Sequence, residues 1–215
     1  MEPLIYLVRH GEAEHNVSKQ FSQRDPPLTQ LGFKQAASLE TTFPDPSSIA
    51  VVLSSPLKRA LQTALAGFSH IIALDHDGNG NGSRNARFIV DRDLQERSDL
   101  PCDTGSERAL LEEAFPNVDF STLDEDWFLK TGAYAADDES VALRARTVRE
   151  KLWSLAESVQ REQPVPASRR AIVIVTHGVF MKHLSLDMEI DLPKAGWEKF
   201  SITKTADGEV ILSPV

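Results

Sequence analysis

The chain has 215 residues, 41% of them hydrophobic and 26% charged, so it is long enough to bury a core, and its composition excludes a disordered, collagenous or coiled-coil chain. Its 23 Lys and Arg against 32 Asp and Glu leave a formal charge of -9, a sign that repels phosphate backbones and anionic lipid; neither nucleic acid nor membrane is expected as a partner. With one cysteine, Cys102, there is no internal disulfide, and the amino terminus carries no basic run before its apolar segment, so a reducing, cytoplasmic setting is expected.

The elements alternate between short apolar runs and helix-period segments. Leu4 to Val8 reads as a first strand, central in the sheet. An amphipathic helix follows from Leu28, with Thr29 as N-cap and Pro44-Asp45-Pro46 as its end. Ile49 to Leu53 is a second strand. Ser54-Ser55-Pro56 reads as two caps and a first-turn proline for a helix with Leu57, Leu61, Leu65 and Phe68 on one face, which puts Arg59 in or near its first turn. Asp75 to Asn85 is a polar loop before the strand Arg87 to Val90; its calcium-loop spacing (Asp75, Asp77, Asn79, Gly80) fails at Ala86, where a bidentate glutamate is required.

The segment from Arg97 to Asp138 has one helix around Glu107 to Phe115 and reads as an insertion or lid within a single domain spanning 1–215. Its aromatic residues Phe120, Trp127, Phe128 and Tyr134 either line that lid or fill a satellite core. Ser140 to Gln160 is a long helix ended by Pro164 and Pro166, Ala171 to Val175 is a buried strand, and Phe200–Thr203 with Val210–Leu212 form a terminal hairpin. The class is α/β, a mostly parallel sheet with helices on both faces.

In such sheets ligands bind outside the carboxyl ends of the strands. Arg9-His10-Gly11-Glu12, Arg59, Glu96 and Thr176-His177-Gly178 all fall there. Two guanidiniums beside helix N-terminal amides suit a phosphoryl dianion. His10 beside them can attack phosphorus through a ring nitrogen, while Arg9, Arg59 and His177 neutralise the equatorial oxygens, so neither metal nor cofactor is expected. Glu96 is suited to protonate the leaving alkoxide, with Glu12 and Asp93 as neighbouring acidic alternatives. A neutral His10 and a protonated Glu96 make opposing demands, so activity is expected to fall on both sides of an optimum at or below neutrality. His15, His70, His76 and His183 read as surface or packing residues, and Cys102 as structural.

Together these residues resemble the histidine phosphatase superfamily, in its phosphoglycerate-mutase-like branch. The resemblance rests on Arg9-His10-Gly11-Glu12 with Asn16, Leu28-Thr29-Gln30-Leu31-Gly32 with Gln35-Ala36, Ser54-Ser55-Pro56-Leu57-Lys58-Arg59-Ala60 with Gln62-Thr63, Leu94-Gln95-Glu96, and Thr176-His177-Gly178. It implies a three-layer α/β/α sandwich, a phosphohistidine at His10, phosphate ligands Arg9, Arg59 and His177 with Asn16 as an auxiliary, and Glu96 as proton donor; Ser22 is a further substrate-ligand candidate. The mutases of that branch carry a Thr-Gly-Trp-like stretch where this chain has Ser22-Gln23-Arg24, and Tyr and Lys ligands where it has Arg97 to Gly105. Hydrolysis of a small phosphorylated metabolite is therefore expected, with phosphotransfer of the mutase type and non-catalytic phosphate binding as alternatives.

Overall fold

The computed structural model describes residues 3–74, 86–161 and 169–215. The calcium-like spacing, His76, Pro164 and Pro166 lie outside them.

Seven strands form one sheet: β1 (Leu4–Arg9), β2 (Ile49–Ser54), β3 (Ile72–Ala73), β4 (Ala86–Val90), β5 (Ala171–Thr176), β6 (Trp197–Lys204) and β7 (Val210–Pro214). Their order is β3-β4-β2-β5-β1-β6-β7. The first five pair in parallel and the terminal hairpin β6-β7 adds antiparallel to β1. The helices are α1 (Glu14–Ser18), α2 (Gln30–Ala37), α3 (Leu39–Thr42), α4 (Lys58–Phe68), α5 (Arg108–Ala114), α6 (Asp138–Arg161) and α7 (Gly178–Ser185).

The strand runs are apolar throughout because both faces of the sheet are covered. Ile5 and Leu7 of β1 pack with Val148 and Leu152 of α6 and Phe180 and Leu184 of α7, whereas Tyr6 and Val8 pack on the opposite face with Leu39 of α3 and Ala60, Ala64 and Phe68 of α4. That alternation produces the three layers. A third cluster joins Leu57, Leu61 and Val90 to Leu111, Val118, Phe120, Leu123 and Trp127. Phe120 and Trp127 of the segment 97–138 thus belong to a satellite core, Phe128 packs against it and stacks under Arg24, and Tyr134 lies apart, its hydroxyl donating to Asp93.

Three local expectations need correcting. The two serines and the proline before α4 do not cap it: Ser54 ends β2, and the helix begins at Lys58 behind Leu57, which has no side-chain cap bond. The first helical amide is taken instead by Asp25, whose Oδ1 accepts the Lys58 N–H at 2.9 Å while Oδ2 accepts the Ser106 N–H at 3.0 Å. This buried carboxylate caps α4 from 33 residues away and ties the 97–138 segment to it. Second, the helix opened by Thr29 ends at Ala37 and the chain resumes as the separate turn α3, well before Pro44. Third, β3 is an additional strand, with only two residues to signal it.

Candidate active site

Strand register aligns the site. Arg9 pairs with Thr176, Val8 with Val175, and Ser54 with both Val175 and Val90, so four parallel strands end on one level. The chain then leaves the sheet in the same place: the His10 N–H donates to the Thr176 carbonyl at 3.0 Å and the Ser55 N–H to the Val175 carbonyl at 3.0 Å. A cavity of about 670 Å³ opens there, and Arg9, His10, Asn16, Arg59 and Glu96 all line it.

The loop that presents His10 is held by side chains that do not line the cavity. The Gly11 N–H donates to Thr63 Oγ1 (2.9 Å), the Glu12 N–H to Gln35 Oε1 (2.8 Å) and the Leu28 N–H to Gln62 Oε1 (2.7 Å). Gln35, Gln62 and Thr63 therefore act as scaffold. Glu12 accepts from the Thr29 hydroxyl at 2.7 Å, and Asp93 meets Tyr134 and Lys151; of the three acidic candidates only Glu96 lines the cavity.

His10 is 4% exposed and its Nδ1 lies 2.6 Å from the Gly11 carbonyl oxygen. A carbonyl only accepts, so Nδ1 carries the proton and Nε2 keeps its lone pair, toward which the Arg59 Nε–H points at 3.3 Å. Burial, then Arg59, then Lys194 hold this imidazole well below its ordinary value, so it is neutral at physiological pH.

His177 lies behind His10, with ring centroids 5.2 Å apart, and is fully buried. Ser55 Oγ lies 2.8 Å from Nε2 and also accepts the Leu57 N–H at 3.3 Å. The His177 Nδ1 is buried with no hydrogen-bond partner among the described residues. Burial and Arg59 push the His177 imidazole down as well.

Both arginines are anchored. Arg9 donates to Asp191 (2.7 Å) and to the Leu192 carbonyl (2.5 Å), with its guanidinium against Gly178, where a Cβ would come within 3.0 Å. Arg59, 1% exposed, donates to the Cys102 carbonyl (2.6 Å) and to Asp103 (2.8 Å). Glu96 rests on the first turn of α7: Oε1 accepts from Phe180 N–H (2.9 Å) and Arg97 N–H (2.8 Å), and Oε2 from Val179 N–H (3.1 Å). Oε2, with the single amide, has the spare lone pair for a transferable proton.

Asn16 lines the cavity but its side chain is engaged locally, with Oδ1 accepting the Ala13 N–H (3.0 Å) and Nδ2 3.0 Å from His15 Nε2. Ser22 is exposed and is not among the lining residues, so the geometry does not bring it to the others. The expectation that His15 is a surface or packing residue is corrected: it lines the cavity, 6.3 Å ring to ring from His10, and burial and Arg59 bring it down to about 4. Its place immediately before Asn16 was the available signal.

Lys194 was also missed. It lines the cavity on the loop before β6, and none of the hydrogen bonds or ion pairs among the described residues uses its ammonium. Burial, Arg9 and Arg59 lower it to about 8. Nor is the wall uniformly basic: Arg9, Arg59, Lys182 and Lys194 face Asp103, Glu96, Glu189 and Asp191. Only Leu100, Cys102 and Asp103 of the 97–138 segment reach it, so the acidic clusters near Asp124 and Asp137 lie elsewhere.

No described helix is long and apolar enough to cross a membrane. The chain is 32% identical over 184 residues to a Schizosaccharomyces pombe protein named as a probable phosphatase, covering 83% of this chain and 76% of that one. It is 31% identical over 208 residues to the phosphoglycerate mutase-like protein 1 of Arabidopsis thaliana, covering 83% and 69%. Among solved structures, a mycobacterial glucosyl-3-phosphoglycerate phosphatase with VO3 superposes with a TM-score of 0.60 at 20% identity, over 99% of this chain and 97% of that one. A phosphoserine phosphatase of Entamoeba histolytica with 3-phosphoglyceric acid gives 0.55 at 22%, over 98% and 94%. The model of the histidine phosphatase superfamily, branch 1, matches residues 5–211, which takes in every strand that carries the site, and the chain belongs to that family.

Proposed function

We propose that the protein is a phosphatase hydrolysing a small phosphomonoester through a phosphohistidine on His10. The observation that carries this reading is the neutral His10 imidazole at the cavity wall, its Nε2 lone pair held toward the Arg59 guanidinium, with an unpartnered His177 Nδ1 behind it. Nε2 attacks phosphorus, the bond from phosphorus to the ester oxygen breaks, and Glu96 Oε2 gives its proton to the departing alkoxide. Water then attacks the phosphohistidine, its proton passes to Glu96, and the nitrogen–phosphorus bond breaks to release phosphate. Arg9, Arg59 and Lys194 neutralise the charge on the transferring group, to which the neutral His177 gives a hydrogen bond from Nδ1. Phosphatase names among relatives and structural neighbours support hydrolysis, and the neighbours' phosphoglycerate and phosphoserine ligands or substrates support a small phosphorylated metabolite. The single, buried cysteine supports a reducing, cytoplasmic setting.

The test is incubation with a panel of phosphorylated metabolites in EDTA, measuring released phosphate and, after acid-free quenching, the phosphate bound to protein. Turnover with a stoichiometric, acid-labile phosphoenzyme is expected. Quantitative transfer to a second metabolite in place of release would assign phosphotransfer instead, and no turnover with saturable phosphate binding would assign a binding protein.

Glu96→Gln is expected to lower kcat/KM by about 10²-fold or more for alkyl phosphates and only a few-fold for 2,4-dinitrophenyl phosphate, whose leaving group needs no proton. Equal losses on both would remove Glu96 from the donor role. Lys194 gives a prediction in pH. Because its lowered pKa is about 8, kcat/KM for a dianionic substrate should fall as pH rises through that value, as the ammonium is neutralised. In Lys194→Met the inflection near 8 is lost and kcat/KM at pH 7 is about tenfold lower; a wild-type profile without an inflection between about pH 7 and 9.5 would exclude Lys194 from substrate binding.

A further inference from the structure

Glu96 is held from its main chain as well as through its carboxylate. Its carbonyl oxygen accepts from Lys130 Nζ at 2.6 Å and from Arg144 NH2 at 3.4 Å. The NH1 of the same guanidinium donates to the carbonyls of Asp93 (2.7 Å) and Gln95 (2.6 Å). Arg144 is 4% exposed, and its guanidinium lies 4.3 Å over the ring of Phe180, the residue whose N–H binds Glu96 Oε1. Two cations from different parts of the chain, one on the 97–138 segment and one on α6, thus converge on the carbonyls of residues 93–96.

Placing two like charges together away from water is costly, and burial lowers Lys130 to about 7 and Arg144 to about 10. Simple attachment of the segment to the body does not demand that cost: the third apolar cluster and the Asp25–Ser106 bond already supply it. The four carbonyl contacts fall on the one turn that carries the candidate acid. We propose that Lys130 and Arg144 are positioning residues for Glu96, which fix the 93–96 turn so that the carboxyl group stays on the first turn of α7 at the cavity wall. The 97–138 segment then acts on proton transfer to the leaving group through Lys130, not only on the shape of the cavity.

This inference rests on the reading of Glu96 as proton donor, so the experiment carries its own reference. The kcat/KM values for an alkyl phosphate and for 2,4-dinitrophenyl phosphate are measured for the wild type, Glu96→Gln, Lys130→Met and Lys130→Arg. Their ratio is insensitive to the folded fraction, because loss of folded protein lowers both rates equally. In Lys130→Met the alkyl rate is expected to fall about 10-fold to 10²-fold with the aryl rate within about threefold, and Lys130→Arg is expected to restore most of the ratio. If Glu96→Gln shifts the ratio but Lys130→Met leaves it at the wild-type value, the positioning role is overturned. If Glu96→Gln does not shift the ratio, the donor assignment fails first and the inference falls with it. Should Lys130→Met yield no folded protein, Lys130→Gln, which keeps a donor, replaces it: a ratio between those of wild type and Glu96→Gln supports the role, and the wild-type ratio overturns it.

Discussion

Replacing His10 with alanine is expected to lower phosphatase turnover by about 10⁴-fold or more and to abolish the phosphoenzyme. The result is not guaranteed by burial alone, because two other imidazoles stand within reach. His177 is 5.2 Å away between ring centroids and His15 is 6.3 Å away, and both are held neutral. Their hydrogen bonds tell the three rings apart. His177 Nε2 is committed to Ser55 and His15 Nε2 to Asn16, whereas His10 fixes its proton on the Gly11 side and directs Nε2 to the guanidinium of Arg59 in the cavity wall. Of the three, His10 is the ring whose lone pair faces a guanidinium, the group suited to hold the anion. The alanine variant should remain folded, since the change removes one cavity-lining side chain with its bond to the neighbouring Gly11 carbonyl and its bond from Arg59 Nε. A folded His10→Ala protein that still forms an acid-labile phosphoenzyme would move the nucleophile to His177 or His15.

Gly32→Ala is expected to lower stability by about 3–5 kcal/mol, or roughly 6–20 °C in melting temperature for a chain of this length. A Cβ at Gly32 would lie 2.0 Å from the Glu12 carbonyl oxygen and 2.9 Å from its carbon. The opposing atoms are main chain, so no rotamer change relieves the overlap. Gly11 meets the same surface from the other side, with its own Cβ position 2.7 Å from the Gly32 carbonyl oxygen. The loop that carries His10 is therefore pressed against the first turn of α2, and any relief must move either the loop or the helix. Thermal unfolding followed alongside kcat tests this directly: a melting temperature within 2 °C of the wild type would show that the two backbones are free to separate.

Much of this molecule was legible in its sequence, for physical reasons that also mark where legibility stops. Strands buried on both faces must be apolar throughout, so Ile49–Leu53 and Ala171–Val175 announced themselves. The reactive residues at the ends of those strands followed from where parallel sheets place their ligands. What the sequence concealed was contact at a distance. Ser54-Ser55-Pro56 has every local mark of a helix start, yet the α4 amide is taken by Asp25, because a buried carboxylate 33 residues earlier in the chain competes successfully with local serines. Lys194 carried no signal at all: a lysine in a loop looks solvated until the fold sets it beside Arg9 and Arg59. The aromatics of 97–138 were ambiguous because a lid and a satellite core require the same residue types, and only the packing of Trp127 and Phe120 against Leu57, Leu61 and Val90 decides between them.

The scaffold beneath His10 has a consequence for how the chemistry could be changed. Gln35, Gln62 and Thr63 satisfy main-chain amides and are indifferent to the side chain displayed above them. The loop is in effect a socket: its shape is written in residues that take no part in the reaction, and the group it displays is exchangeable in principle. A descendant that had given up phosphoryl transfer could retain all three and keep the same backbone. Recognition through those letters reports ancestry of the socket, and the triad of His10, Arg59 and His177 alone reports what is plugged into it.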